Sequence, residues 1–125
     1  MIKELLIVCT GSFVGGGLRY LVSRAMALVW TPSFFGTLTA NVAGCFLIGI
    51  LSGLSATGSL SPSLRLLLVT GLCGGFTTFS TFINENVLLT RDGNLPTALL
   101  YTSLSLLLGV IAVVIGYKAA MLLKG

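Results

Sequence analysis

Residues 34–54 read FFGTLTANVAGCFLIGILSGL, an apolar run without one charged side chain. Wound as a helix, about 20 such residues cross the ~30 Å of hydrocarbon in a bilayer. Three more runs of this kind flank it. The first extends roughly from Glu4 to Leu28, the third from Ser63 to Thr90, and the fourth from Pro96 to Leu123. Turn-forming residues separate the four: Thr31-Pro32-Ser33, then Ser55 to Pro62, then Arg91-Asp92-Gly93-Asn94. The connections are short, so successive helices are expected to pack antiparallel in a single transmembrane domain over residues 1–125.

Composition supports the same reading. Apolar residues make up 55% of the chain and charged residues 8%, whereas soluble domains carry about 25% charged residues. Mean hydropathy is +1.07. The expected fold is therefore an all-α integral membrane protein. Lys3 before Leu5-Leu6-Ile7-Val8 has the look of a cleavable signal peptide. Three further apolar runs, and no small residue before Cys9 in Leu6-Ile7-Val8-Cys9, favour its retention as a span.

Several function classes are disfavoured. The chain has no histidine and no paired carboxylates for acid–base chemistry, so an enzyme is not expected. The +4 net charge is scattered, with no basic cluster for nucleic acid. Cys9, Cys45 and Cys73 lie within spans without CxxC spacing and read as small packing residues.

The positive charges set orientation weakly. Lys3, Arg65, Lys118 and Lys124 fall on one side of four spans, and Arg24 and Arg91, with Arg19 if it snorkels that way, on the other. Such a bias permits one fixed orientation. It also permits dual topology, in which copies insert both ways and pair antiparallel. Small residues at four-residue spacing (Gly11 and Gly15; Gly36, Ala40 and Gly44; Cys45, Gly49 and Gly53) predict close helix packing.

The polar residues within the spans are the functional candidates. Arg19 either snorkels or attracts anions in an aqueous vestibule. Asn41, with Thr37 one turn before it on the same face, either ties two helices together or offers N–H donors to an anion. The stretch Gly71-Leu72-Cys73-Gly74-Gly75-Phe76-Thr77-Thr78-Phe79-Ser80-Thr81-Phe82 is poor material for a continuous helix. A break there would free carbonyl oxygens, which suit a small hard cation. Phe79 and Phe82, three apart, read as lipid-facing or core rings, or as ring edges that receive a small anion. Ser80 and Thr81 would add hydroxyl donors. Glu85 needs a neutralising partner or exposure at the span's end. Tyr101 and Ser105 continue a polar track or bond to a neighbouring helix.

These residues resemble a known family. Gly11-Ser12-Phe13-Val14-Gly15-Gly16-Gly17-Leu18-Arg19-Tyr20 matches its first-helix motif, and Gly36-Thr37-Leu38-Thr39-Ala40-Asn41-Val42-Ala43-Gly44 its second. Gly71 to Phe82 matches its third. The chain resembles the CrcB/Fluc family of fluoride channels over essentially its whole length. The resemblance implies an antiparallel, dual-topology homodimer with two fluoride pathways, in the bacterial inner membrane, exporting fluoride passively. It implies a third helix broken near its middle, where backbone carbonyls of Gly74 and Thr77 hold a structural sodium ion (Na+) at the dimer interface. It implies pore phenylalanines at Phe79 and Phe82, a pore asparagine at Asn41 and a vestibule arginine at Arg19. Ser80, Thr81, Tyr101 and Ser105 fall on its polar track. The alternative is a small multidrug-resistance-type transporter, which shares four helices and antiparallel pairing. That class needs a carboxylate deep in its first helix, where this chain has Arg19.

Overall fold

The computed structural model describes residues 1–29 and 34–124. Helix α1 covers Ile2–Val29 and α2 covers Phe34–Ala56. Helix α3 (Pro62–Arg65) runs on into a π-helical segment, Leu66–Cys73, and a last turn, α4 (Gly74–Phe76). Helix α5 is Ser80–Arg91 and α6 is Leu95–Lys124. No strand occurs among the described residues. Four stretches are long and apolar enough to cross a membrane: Ile2–Val29, Phe34–Ala56, Pro62–Arg91 and Leu95–Leu123, with mean hydropathies of 1.6, 1.8, 1.7 and 2.4. The chain is a multi-pass, all-α membrane protein. The turn read at Thr31-Pro32-Ser33 lies outside the described residues.

The two described connections are closed by glycine. Gly58 (φ 73°) and Gly93 (φ 81°) occupy the left-handed region that a Cβ disfavours. After α2, Ser59 N–H reaches Leu54 C=O (2.9 Å) and Gly58 N–H reaches Ser55 C=O (3.1 Å). After α5, Asn94 N–H reaches Leu89 C=O (2.8 Å) and Gly93 N–H reaches Thr90 C=O (3.1 Å). Both patterns are Schellman motifs, which satisfy the last carbonyls of a helix. Ser61 then caps the next helix by accepting from Leu64 N–H at 3.2 Å, with Pro62 at its first position, where no N–H is needed.

The small-residue stripes divide between partners. Gly49 and Gly53 face α6: a Cβ on Gly49 would strike the Val113 carbonyl, and one on Gly53 would lie 2.7 Å from Ala120 Cβ. Gly116 returns the contact on the Phe46 carbonyl. This makes α2 and α6 the most closely joined pair. The other stripe faces elsewhere, with Gly36 on Ser23 of α1 and Gly44 on the Thr77 side chain. In α1, Gly11 and Gly15 sit on the Leu67 and Leu72 carbonyls. Backbones in lipid gain by this proximity, because no hydrophobic force drives helices together there.

Burial is inverted relative to a soluble core. Tyr101 and Cys73 are the largest fully buried side chains, and Thr37 is buried, while Leu99, Leu100, Leu106 and Leu107 face outward. Leucine outside and hydroxyl inside is the arrangement that a hydrocarbon solvent favours.

Candidate functional site

Helical geometry stops at Phe76 and resumes at Ser80. The glycines do not make this change. Gly74 is helical (φ −61°, ψ −37°), and a Cβ on Gly75 would lie 2.7 Å from the Ser12 carbonyl of α1. Gly75 lets α1 in close, and the backbone turns extended after Phe76, at Thr77 (φ −90°, ψ 158°).

Side chains replace the helical hydrogen bonds. In an unbroken helix Thr78 N–H would bond to Gly74 C=O. Here it donates to Asn41 Oδ1 at 2.7 Å, while Asn41 Nδ2 donates to Thr78 C=O at 2.9 Å. A backbone N–H can only donate, so the orientation of the Asn41 amide is fixed. Thr81 N–H, which would bond to Thr77 C=O, is instead accepted by Thr78 Oγ1 at 3.3 Å. Gly75 C=O accepts from Arg19 Nε at 3.1 Å. A guanidinium at this C-terminal turn also meets the negative end of the helix dipole. Thr77 Oγ1 folds back onto Cys73 C=O at 2.9 Å.

A cavity of about 410 Å³ opens beside this segment, lined by Asn41, Gly74, Thr77, Phe79, Phe82 and Ser105 among others. Phe79 is 74% exposed and Phe82 is 7% exposed. Their ring centroids are 6.2 Å apart, so one ring stands at the surface and the other closes the inner wall. Phe82 meets Tyr101 edge to face, with centroids 5.0 Å apart at 74°, the geometry that the aromatic quadrupole prefers. Ser105 Oγ is buried and has no hydrogen-bond partner among the described residues. A buried hydroxyl left so is unfavourable unless something else binds it.

Glu85 is held by two hydroxyls. Its carboxylate accepts from Tyr101 Oη at 2.8 Å and from Thr37 Oγ1 at 3.0 Å. At the next residue, Asn86 Oδ1 accepts from Thr102 Oγ1 at 2.9 Å, and Asn86 Nδ2 donates to Phe82 C=O at 3.0 Å. These bonds fasten α5 to α2 and α6, on the side of Phe82 away from the break.

The family model described as "CrcB-like protein, Camphor Resistance (CrcB)" matches residues 6–117. The chain belongs to the CrcB family. Similar proteins are named fluoride-specific ion channel FluC. The one from Chlorobium phaeobacteroides (strain BS1) is 48% identical over 94% of this chain and 93% of its own length. That from Prosthecochloris aestuarii (strain DSM 271 / SK 413) is 47% identical over the same shares. That from Phocaeicola vulgatus (strain ATCC 8482 and its equivalents) is 40% identical over 91% of this chain and 95% of its own.

In this CrcB chain the cavity collects Asn41, Gly74, Thr77, Phe79, Phe82 and Ser105 from the sequence candidates. The other four lie outside its lining. Arg19 holds Gly75 from the α1 side. Ser80 is exposed and Thr81 half-buried in the first turn of α5. Tyr101 is 1% exposed, with its hydroxyl on Glu85. Sequence reasoning did not single out Thr78, whose peptide and hydroxyl are both engaged. It also left Thr37 without its role on Glu85.

Proposed function

We propose that this chain is the subunit of a fluoride-specific channel that lets fluoride leave the cell passively across the bacterial inner membrane. Its membership of the CrcB family and the names of its relatives support this. The structural observation that carries it is the unpaired, buried Ser105 hydroxyl in a cavity walled by the Phe82 ring. Fluoride is small and strongly hydrated, so a pore has to replace its water. A hydroxyl donor and the positive edges of phenylalanine rings are suited to that. Asn41 commits one amide hydrogen to Thr78 and has a second to offer. Ser80, Thr81 and Arg19 lie within the same span or against it and would attract and hand on the anion, with Tyr101 setting the Phe82 ring. Conduction of this kind involves no covalent step, so the protein acts as a channel and not as an enzyme. A membrane potential of about 100 mV, negative inside, drives an anion outward by about 2.3 kcal/mol.

The finer architecture belongs to the same reading. The third span is two half-helices, and the working unit is an antiparallel, dual-topology homodimer. The exposure of Phe79 supports this, since a partner copy would cover it. Gly74 and Thr77 would hold a structural sodium ion through their carbonyl oxygens. Fit is supported by the diversion of their helical partners, Thr78 N–H and Thr81 N–H, to Asn41 and Thr78 Oγ1. Oxygen ligands suit a hard cation, and such an ion would offset the negative ends of the carbonyl dipoles and would join the two copies. The multidrug-transporter alternative lacks its carboxylate: Glu4 pairs with the N-terminal amine at the membrane edge, and Glu85, on the third span, is held by two hydroxyls.

Fluoride efflux from liposomes tests the proposal. Phe79→Ile and Phe82→Ile should each abolish flux in protein that still elutes as a dimer. Wild-type flux in both variants would remove the rings from the path.

A further inference from the structure

Two of the three cysteines face the proposed ion path. Cys45 of α2 and Cys73 at the end of the π-helical segment both line the cavity that holds Asn41, Phe82 and Ser105. They sit beside one contact. Cys45 follows Gly44, whose missing Cβ makes room for the Thr77 side chain. Cys73 lies one turn before Thr77, whose hydroxyl bonds to its carbonyl. Neither sulfur is in a disulfide. Cys73 is 1% exposed, and Cys45 is half-buried, with its Sγ 3.4 Å from where a Cβ of Gly109 would stand. Cys9, by contrast, is exposed on α1 and is no part of the cavity lining.

Packing alone explains a small apolar residue at either position. It does not call for two thiols in the lining of one cavity. We infer that Cys45 and Cys73 form a two-thiol site for a soft, linear two-coordinate cation, and that its occupation closes the ion path. The proposal rests on reading this cavity as that path. Thiolates select soft metals over hard ones, so the site leaves sodium untouched. Mercuric chloride is the probe, being neutral and able to reach a site within the membrane. Both S–H bonds break and two Hg–S bonds form. The two protons leave with the two chlorides as HCl, and mercury stays Hg(II).

The test uses full-length Cys9→Ser protein in liposomes. Bound mercury, free thiols and fluoride efflux are measured before and after HgCl2, and again after dithiothreitol. The expected result is one mercury per chain, loss of both remaining thiols, flux reduced to that of protein-free liposomes, and recovery with dithiothreitol. A further Cys45→Ser or Cys73→Ser change should leave any residual flux far less sensitive to mercury. Two mercury ions per chain, none, or one per chain with undiminished flux would overturn the inference. Efflux before mercury is added reports on the channel reading separately, and the thiol stoichiometry decides the site whatever that flux proves to be.

Discussion

The side-chain amide of Asn41 pairs with the peptide group of Thr78 along both edges, accepting from its N–H at 2.7 Å and donating to its C=O at 2.9 Å. It stands in for a strand of backbone at the point where helical bonding lapses. Polar backbone at membrane depth needs such partners, because lipid supplies none. Asn41→Ala leaves a buried peptide N–H unpaired, which costs about 1–3 kcal/mol. The expected outcome is a lower melting temperature together with lost fluoride flux. Asn41→Asp keeps the acceptor for Thr78 N–H, loses the donor to its C=O and adds negative charge. It should fold better than Asn41→Ala while still failing to pass fluoride. Unimpaired flux in both would leave Asn41 as a structural residue without a part in conduction.

Ser105→Ala separates conduction from stability. The hydroxyl has no partner among the described residues, so its removal takes away a buried polar group and no hydrogen bond seen there. Such a change is neutral or stabilising. A thermal melt should therefore show the variant at least as stable as the parent, and a fluoride electrode should show slower efflux. A marked loss of stability would mean that the hydroxyl is bonded in the folded protein.

Glu85 tests the polar anchor. Tyr101→Phe and Thr37→Val each remove one of its two hydroxyl donors. Each should lower stability by about 1–3 kcal/mol. The double variant should depart from the sum, since both donors serve one carboxylate. Tyr101→Phe preserves the ring against Phe82, so its effect isolates the hydroxyl. Strict additivity in denaturation would argue that the two bonds act independently.

Glycine positions on α1 make a paired test of packing. A Cβ on Gly15 would strike the Leu72 carbonyl, whereas one on Gly17 meets nothing within 4 Å. Gly15→Ala should yield little folded protein by size-exclusion chromatography. Gly17→Ala should fold as the parent does within one chain, and a loss of dimer alone would place Gly17 against a partner copy.

These positions show how far the sequence could be read. The four spans follow from hydrophobic length, and the ends of α2 and α5 from Gly58 and Gly93, because both signals are local. The stretch from Gly71 to Phe82 is poor helix material by composition, and the backbone does depart within it, at Thr77 and not at the helical glycines. Composition lowers helix propensity over a window, whereas the position of the departure is set by Asn41 and Arg19, which lie on other helices. The π-helical Leu66–Cys73 has no local signature at all; it packs against Gly11 and Gly15. Glu85 could be seen to need a partner. That its partners are Thr37 and Tyr101 depends on how α2, α5 and α6 pack, which spacing within one helix does not encode.

The central claim is selective fluoride conduction. It is tested most directly by reconstituting the protein in liposomes loaded with fluoride and chloride and following both anions with selective electrodes under an imposed potential. The account predicts rapid fluoride release with no chloride release above protein-free liposomes. Comparable chloride release, or no fluoride release from protein shown to be folded and dimeric, would contradict it.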